Sequence, residues 1–205
     1  ILPTERGLQT YALGGDIQTH WGGGAEPISY NPYLPDEGET VMFKGQTHDE
    51  SDGKGRTGIG VTYGNNPVEV ENNEPAVKLG DGGNNENLVV FGNLQIPKGM
   101  LNDKNADGRK FKSYIADLSK KENKQNKVIE TSIASIDNMD IKTPFDRLKF
   151  SALKANVLGG NMKLKEIADK KINAANLQSA INDTAEEQGL IADDLAKGKI
   201  VKAKY

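Results

Sequence analysis

The stretch DGRKFKSYIADL, residues 107–118, divides the chain into two parts of different composition. On its N-terminal side, residues 1–108 hold 19 of the 23 glycines and 7 of the 8 prolines, which break a chain into short turns. On its C-terminal side glycine and proline are rare, so long helices can form. The sequence therefore predicts an α+β protein in which a small Gly/Pro-rich antiparallel β module precedes a helical region of two or three helices.

Charge divides at the same place. Residues 1–108 carry 7 Lys and Arg against 16 Asp and Glu, a net charge of −9, whereas residues 109–205 carry 19 against 13, a net charge of +6. One interpretation is a charge-matched contact between the acidic half of one subunit and the basic half of another. Nucleic-acid binding by the basic half is a second interpretation, and a solvated helix face is a third.

The overall composition excludes several classes of protein. Only 36% of the residues are hydrophobic, so a large self-sufficient core is not expected. Without cysteine there is no disulfide framework, thiolate nucleophile or sulfur-based metal site. No apolar run approaches the 18 or so residues of a membrane helix, and we expect no membrane span. Because the chain begins at Ile1 rather than Met, we expect a processed product or a fragment.

Short segments rich in β-branched and aromatic residues predict the strands of the β module, residues 40–108. They are residues 40–44, 59–63, 68–71, 76–79 and 87–96, the last closed by Pro97. Asn72 and Asn73 tolerate positive φ, which favours a hairpin between 68–71 and 76–79. Residues 1–39, with Gly22–Gly24 and spaced prolines, predict an extended arm that orders only against a partner.

Helical spacing begins directly after the β module, in residues 109–205. Phe111, Tyr114, Ile115 and Leu118 follow the spacing of one helix face, and lysines occupy the opposite side. A second helix is predicted at Thr143, which can cap it, with Pro144 and Asp146 in its first turn. Gly159 and Gly160 indicate a break between helices or a flexible joint. Gly189 then ends the last helical run, and residues 197–205 form a basic tail.

One local motif resembles part of a cation site. Asp103, Asn105 and Asp107, followed by Gly108, match the opening of a calcium loop, with oxygen ligands at positions 1, 3 and 5. Position 12 of that loop requires a bidentate Glu, but here it is Tyr114. The simpler interpretation is that Asp107 caps a helix beginning near Arg109.

Two further segments carry polar side chains. His48 lies in the polar run 47–52, which favours a solvated turn over a metal site or proton relay because no remote carboxylate motif supplies the missing ligands. The segment 53–58, GKGRTG, lacks the spacing of a phosphate-binding loop and precedes a predicted strand rather than a helix. We therefore assign no catalytic, cofactor-binding or metal-binding residue and predict a protein that is not an enzyme.

Several of these segments together resemble a module found in virion proteins of crAss-like bacteriophages. They are VMFKGQTHDE at 41–50, GIGVTYGNNPVEVENNE at 58–74, VFGNLQIP at 90–97 and FK at 111–112. The chain differs from the module by Thr47, where the module has Ser, and by the additional residues 51–57. The resemblance covers about residues 39–120.

The resemblance implies a virion structural protein in the tail of a short-tailed phage. It would be a component of the tail muzzle or a cargo protein delivered with the genome during ejection. Its partners would be other tail and portal-region proteins in a symmetric, multi-copy assembly, and it would act through subunit packing. A nucleic-acid-binding accessory protein is the main alternative, and a calcium-stabilised adhesion or carbohydrate-binding module is the other.

Overall fold

A computed structural model describes residues 17–29, 39–63, 66–79 and 87–199, and the predicted segments 1–16, 30–38 and 200–205 lie outside these described residues. The described part has antiparallel sheets followed by helices, so the predicted α+β class is confirmed. The strands are β1 (Ile17–Trp21), β2 (Gly23–Ser29), β3 (Thr40–Gly45), β4 (Ile59–Tyr63), β5 (Asn66–Val70), β6 (Pro75–Leu79) and β7 (Asn87–Val90). The helices are α1 (Phe111–Asp137), α2 (Pro144–Gln188) and α3 (Ala192–Ala196).

The described residues belong to two compact units, of which the first holds 17–25, 43–63 and 66–73. Its three-stranded antiparallel sheet has the order β1-β4-β5. Val61 of β4 lies opposite Thr19 of β1 on one side and Val68 of β5 on the other. The buried apolar side chains of this unit are Phe43, Ile59, Val61, Tyr63 and Val70.

Strand β1 corrects the prediction of an extended arm for the described residues of that segment. β1 pairs with β4 of the same chain, so it needs no partner molecule to become ordered. The physical reason is a close packing contact: the indole of Trp21 lies against Gly60, where a Cβ atom would overlap the ring. Trp21 Nε1 also donates a hydrogen bond to the Thr57 carbonyl at 3.2 Å.

The second unit holds residues 26–29, 39–42, 74–79 and 87–199. A four-stranded sheet has the order β2-β3-β6-β7, in which Val41 of β3 lies opposite Ala76 and Val77 lies opposite Val89 of β7. The predicted hairpin between residues 68–71 and 76–79 is wrong, because β5 pairs with β4 and β6 pairs with β3 and β7. Residues 75–78 are all buried, and because successive side chains of a strand point to opposite faces, both faces of β6 are covered.

The predicted strand at 87–96 is shorter than expected. β7 ends at Val90, and the backbone beyond it bonds to the segment that leads into α1. Phe111 N donates to the Leu94 carbonyl at 2.9 Å, and Gly108 N donates to the Ile96 carbonyl at 2.9 Å. These bonds connect the end of the sheet to the start of the helices.

Both long helices begin close to the predicted positions. α1 buries Phe111, Tyr114, Ile115 and Leu118, as their spacing predicts. Thr143 caps α2 in a reciprocal arrangement: its side chain accepts a hydrogen bond from Asp146 N, and the Asp146 carboxylate accepts one from Thr143 N. α2 ends at Gly189, whose φ of 62° is left-handed, as the glycine there predicts.

Gly159 and Gly160 do not interrupt the helix, so the prediction of a break or joint is wrong. α2 is continuous over 45 residues. A Cβ atom on Gly160 would lie 2.6 Å from Ile129 Cγ1 of α1, whereas one on Gly159 would meet no atom within 4 Å. The glycine at 160 is required for the close approach of two helices rather than for bending.

The helices α1 and α2 form an antiparallel pair, here called the helical hairpin. Its sheet-proximal part is well packed, with Gln178 Nε2 donating to the Val90 carbonyl at 2.5 Å. No residue from 144 to 159 is buried, so packing declines toward the connection between the two helices. The core of the unit consists mainly of Val77, Phe91, Ile96, Ala106, Phe111, Tyr114, Ile115, Leu118, Ile167, Ala174, Ala175, Ile181 and Ala196.

Candidate functional site

A buried ion pair lies inside the helical hairpin. Lys171 Nζ of α2 is 2.6 Å from Glu122 Oε2 of α1, and it donates a hydrogen bond to Ser29 Oγ at 2.7 Å. The Lys171 side chain is 0% exposed and that of Glu122 is 1% exposed. The pair thus joins α1, α2 and the end of β2 at one point.

This cluster has the chemistry of a structural contact. Burial lowers the pKa of Lys171, and the adjacent Glu122 carboxylate opposes that shift. Glu122 Oε1 has no hydrogen-bond partner among the described residues. A general base must reach a substrate, but the side chains of Lys171 and Glu122 are closed to solvent.

This pair is not evident from the sequence by motif, although the helical spacing contains a signal for it. Glu122 follows Leu118 by four residues, and Lys171 follows Ile167 by four residues, so each charged side chain falls on an apolar stripe. A charged residue at such a position is expected to need a partner. The identity of the partner depends on how the two helices align.

A groove of about 640 Å³ runs between α1 and α2 on the surface of the helical hairpin. Its base includes Gly159 and Gly160, and its rim carries four lysines and one glutamate. Lys170 pairs with Glu166 at 2.7 Å and with Asp103 at 3.5 Å. Within the described part of the chain, the other three rim lysines form no ion pair: Lys121, Lys124 and Lys163. The groove therefore presents net positive charge.

Exposed apolar side chains continue along α2 from this groove, whose lining already includes Ala155 and Gly159. Phe145 is 71% exposed, Leu148 is 66% exposed and Met162 is 68% exposed. With Ala152, Ala155 and Gly159 they repeat at intervals of three and four residues, which places them along one side of the helix. We call this row of six residues the α2 stripe. A row of exposed apolar residues of this kind is typical of a contact with another molecule.

The structure brings the residues of the calcium-like loop into contacts of a different kind. Asp103 Oδ1 accepts a hydrogen bond from Asn105 N at 2.9 Å, and Asp103 Oδ2 accepts one from Tyr114 OH at 3.0 Å. Asp107 Oδ1 accepts from Gly99 N at 2.9 Å, so the interpretation of Asp107 as a helix cap is wrong. α1 instead begins after Lys110, without a side-chain cap.

The electrostatics around Asp103 follow from those contacts. Burial alone would raise the pKa of Asp103, but the hydrogen bonds from Asn105 and Tyr114 and the charge of Lys170 lower it below its usual value. Burial and the neighbouring carboxylate raise the pKa of Tyr114. Tyr114, at position 12 of the calcium-like loop, thus donates a hydrogen bond directly to Asp103 at position 1.

His48 lies in a turn between β3 and β4, as its polar surroundings predict. Its Nδ1 is 2.8 Å from Glu71 Oε1 and its Nε2 is 3.3 Å from Glu69 Oε1. No recognisable motif indicates these partners, because the two glutamates are only two residues apart on one face of the extended segment at the end of β5. Throughout the described ranges, no three His, Asp or Glu side chains are grouped as a metal site.

The glycine-rich segment 53–58 is organised by its own aspartate. Asp52 Oδ1 accepts hydrogen bonds from Lys54 N at 2.8 Å and from Arg56 N at 3.2 Å. The Arg56 guanidinium binds the other oxygen of the same carboxylate at 2.5 Å. Amide groups that would have to face a phosphate therefore already bind a carboxylate.

Comparisons of the chain with protein-family models, with curated proteins and with solved structures return no match. Among the described residues, no helix combines the length and the apolar character needed to cross a bilayer. The candidate site of this protein is therefore defined by its own geometry: the α2 stripe and the basic groove beside it.

Proposed function

We propose that this chain is a virion structural protein in the tail of a crAss-like phage, as a muzzle component or as a cargo protein packaged with the genome. It acts through contacts between subunits rather than through catalysis. The proposal depends on the resemblance of residues 41–50, 58–74 and 90–97 to the phage module. It also depends on one structural observation, the exposed α2 stripe.

The stripe supports this proposal because it has no covering element among the described residues of its own chain. Phe145 and Leu148 expose about two thirds or more of their surface, at 71% and 66%. Burying a side chain of this size contributes on the order of 1.5–3 kcal/mol. A chain that leaves several such groups in water gains stability from a neighbouring subunit, which is the condition of a protein built into a large assembly.

Mass spectrometry of purified phage particles tests the proposal. We expect peptides of this chain at a constant ratio to the major tail proteins. Genome ejection triggered in vitro separates the two roles, since a muzzle component remains with the empty particle and a cargo protein leaves it. Particles that contain no peptide of this chain would contradict the proposal.

Nucleic-acid binding is a second candidate because the groove carries Lys121, Lys124 and Lys163 without paired acids among the described residues. Retention on immobilised DNA at about 150 mM salt, falling steeply as salt rises, is the expected behaviour of a phosphate-binding surface. The variant K121E/K124E should then lose retention, and K104E, outside the groove, should keep it. Equal retention of both variants would contradict this candidate.

A further inference from the structure

The charge of the helical region is separated along its length. Residues 120–171 carry 12 Lys and Arg against 7 Asp and Glu, a net charge of +5. Residues 172–196 carry five acidic residues and no Lys or Arg, and the next residue, Lys197, forms an ion pair with Asp193. The α2 stripe thus lies in the basic part, and the last turns of α2 form the acidic end, which consists of Asp183, Glu186 and Glu187.

These two surfaces are too far apart to neutralise each other within one chain. At about 1.5 Å per residue, Leu148 and Glu186 are separated by roughly 57 Å along α2. The Debye length at physiological salt is about 8 Å, so their mutual attraction is screened. Within one chain each surface therefore faces solvent without the other, and each is open to a second molecule.

Pairing of the stripe with the same stripe of a second copy is disfavoured by its flanking charges. In an antiparallel pair centred on the stripe, Phe145 of one copy would lie near Met162 of the other. Lys149 and Lys163 each follow a stripe residue by one position, so they lie on the same flank of the stripe, and that flank would face its equivalent on the second copy. Like charges beside a helical seam select against such a pair.

The acidic end carries the negative charge that complements the lysines beside the stripe. Asp183, Glu186 and Glu187 are exposed on the last turns of α2. Ile191, in the connection to α3, is 40% exposed and supplies apolar surface beside these carboxylates. Both surfaces belong to the same compact unit, so every copy presents both.

We propose that the α2 stripe and the lysines around it dock on the acidic end of a second copy of this chain, so that copies associate head to tail. The partner surface is identified by charge complementarity together with the exposed apolar groups on both sides. Such a contact is heterologous, and repetition of it forms a ring or a filament. The inference deepens the proposed structural function by naming the contact through which copies would assemble.

Sedimentation velocity on two double variants tests this contact. F145D/L148D places charge on the stripe at exposed positions, and E186K/E187K reverses the acidic end at exposed positions where lysine suits a helix C-terminus. The wild-type chain should associate increasingly with concentration and lose association as salt rises. Each double variant alone should be monomeric.

An equimolar mixture of the two variants gives the sharpest result. Each variant retains one intact surface, so the mixture should regain association but stop at a one-to-one complex.

Two control variants match the test variants in the chemistry and the charge of the substitutions. M100D converts an exposed methionine in the loop before α1, and E26K/D49K makes the same charge change as E186K/E187K at exposed positions elsewhere. Both should associate like the wild-type chain.

Three results would overturn the inference. The first is a wild-type chain that remains monomeric at every concentration and salt. The second is a stripe variant that abolishes association while E186K/E187K does not, which would indicate a symmetric contact. The third is a mixture that stays monomeric. Detection of the chain in phage particles is an independent measurement, so a monomeric chain found in particles would contradict this inference and leave the proposed function intact.

Discussion

Lys171 Nζ lies 2.6 Å from Glu122 Oε2 in a site where neither side chain exposes more than 1% of its surface. The hydroxyl of Ser29 accepts a second hydrogen bond from the same ammonium group at 2.7 Å. A buried ion pair of this kind adds little net stability over a well-packed apolar pair, because both charges have lost their water. Breaking it is costly, because one charge then remains buried without compensation.

Single substitutions at this pair should therefore be far more harmful than the double substitution. We expect Glu122→Leu and Lys171→Met each to lower the free energy of unfolding by roughly 3–5 kcal/mol, and E122L/K171M to recover most of that loss. Urea denaturation followed by circular dichroism measures all three. Lys165→Met, at an exposed position on α2, is the control and should change stability by less than about 0.5 kcal/mol. Additive losses in the double variant would contradict the role assigned to the pair.

The adjacent glycines of α2 should respond in opposite directions to alanine. Gly159→Ala should stabilise the helix by up to about 1 kcal/mol, because a Cβ there meets no atom within 4 Å. Gly160→Ala should be less stable than Gly159→Ala by on the order of 1–3 kcal/mol, because its Cβ would lie 2.6 Å from Ile129 Cγ1. Thermal denaturation of the two variants measures the difference. Equal stabilisation by both would show that α1 and α2 are not closely packed at Gly160.

The failed prediction of a helix break at these glycines shows which features of the fold the sequence can predict and which it cannot. Local signals were sufficient where one residue satisfies a backbone requirement, as at Thr143 and Gly189, which begin and end α2. They failed where tertiary packing decided the outcome. Gly160 looks like a break in one helix, and only the presence of Ile129 on the other helix shows why glycine is needed.

The prediction of strand pairing was wrong for a related reason. Residues 68–71 and 76–79 are close in sequence and separated by asparagines, which favours a hairpin. Each strand nevertheless pairs with other strands, and only Asn73 shows the expected positive φ, at 62°. The residues of the candidate site are harder still to predict from the sequence. The α2 stripe and the basic groove depend on which faces of α2 are covered by α1.

The packing of Trp21 against Gly60 can be measured directly, because Trp21 is the only tryptophan in the chain. We expect Gly60→Ala to displace the indole, shift its fluorescence to longer wavelength and lower the melting temperature, because a Cβ at position 60 would overlap the ring. Gly24→Ala is the matched control, since a Cβ there meets no atom within 4 Å. An emission spectrum unchanged by Gly60→Ala would indicate that β1 does not pack on β4 as described.

Calcium should leave the melting temperature unchanged. The carboxylates of Asp103 and Asp107 already accept hydrogen bonds from Tyr114, Asn105 and Gly99. A cation that bound the folded state alone would raise the melting temperature with its concentration. Differential scanning calorimetry with added calcium, and again with chelator, measures the effect. An increase that Asp103→Asn abolishes would restore the calcium-stabilised alternative.

Asp103 should also make stability depend on pH in the acidic range. Its pKa in the folded protein is lowered, so the ionised carboxylate stabilises the fold above its usual pKa of about 3.9, and that contribution is lost as the pH falls toward the folded value. The wild-type chain should exceed Asp103→Asn in stability at neutral pH, and the difference should shrink below about pH 4. Tyr114→Phe should reduce the same pH-dependent difference, because it removes one of the hydrogen bonds that lower the pKa. Asp169→Asn, at an exposed position on α2, is the control for loss of a carboxylate. A difference that stays constant from neutral pH to pH 3 or so would show that the contacts of Asp103 do not depend on its charge.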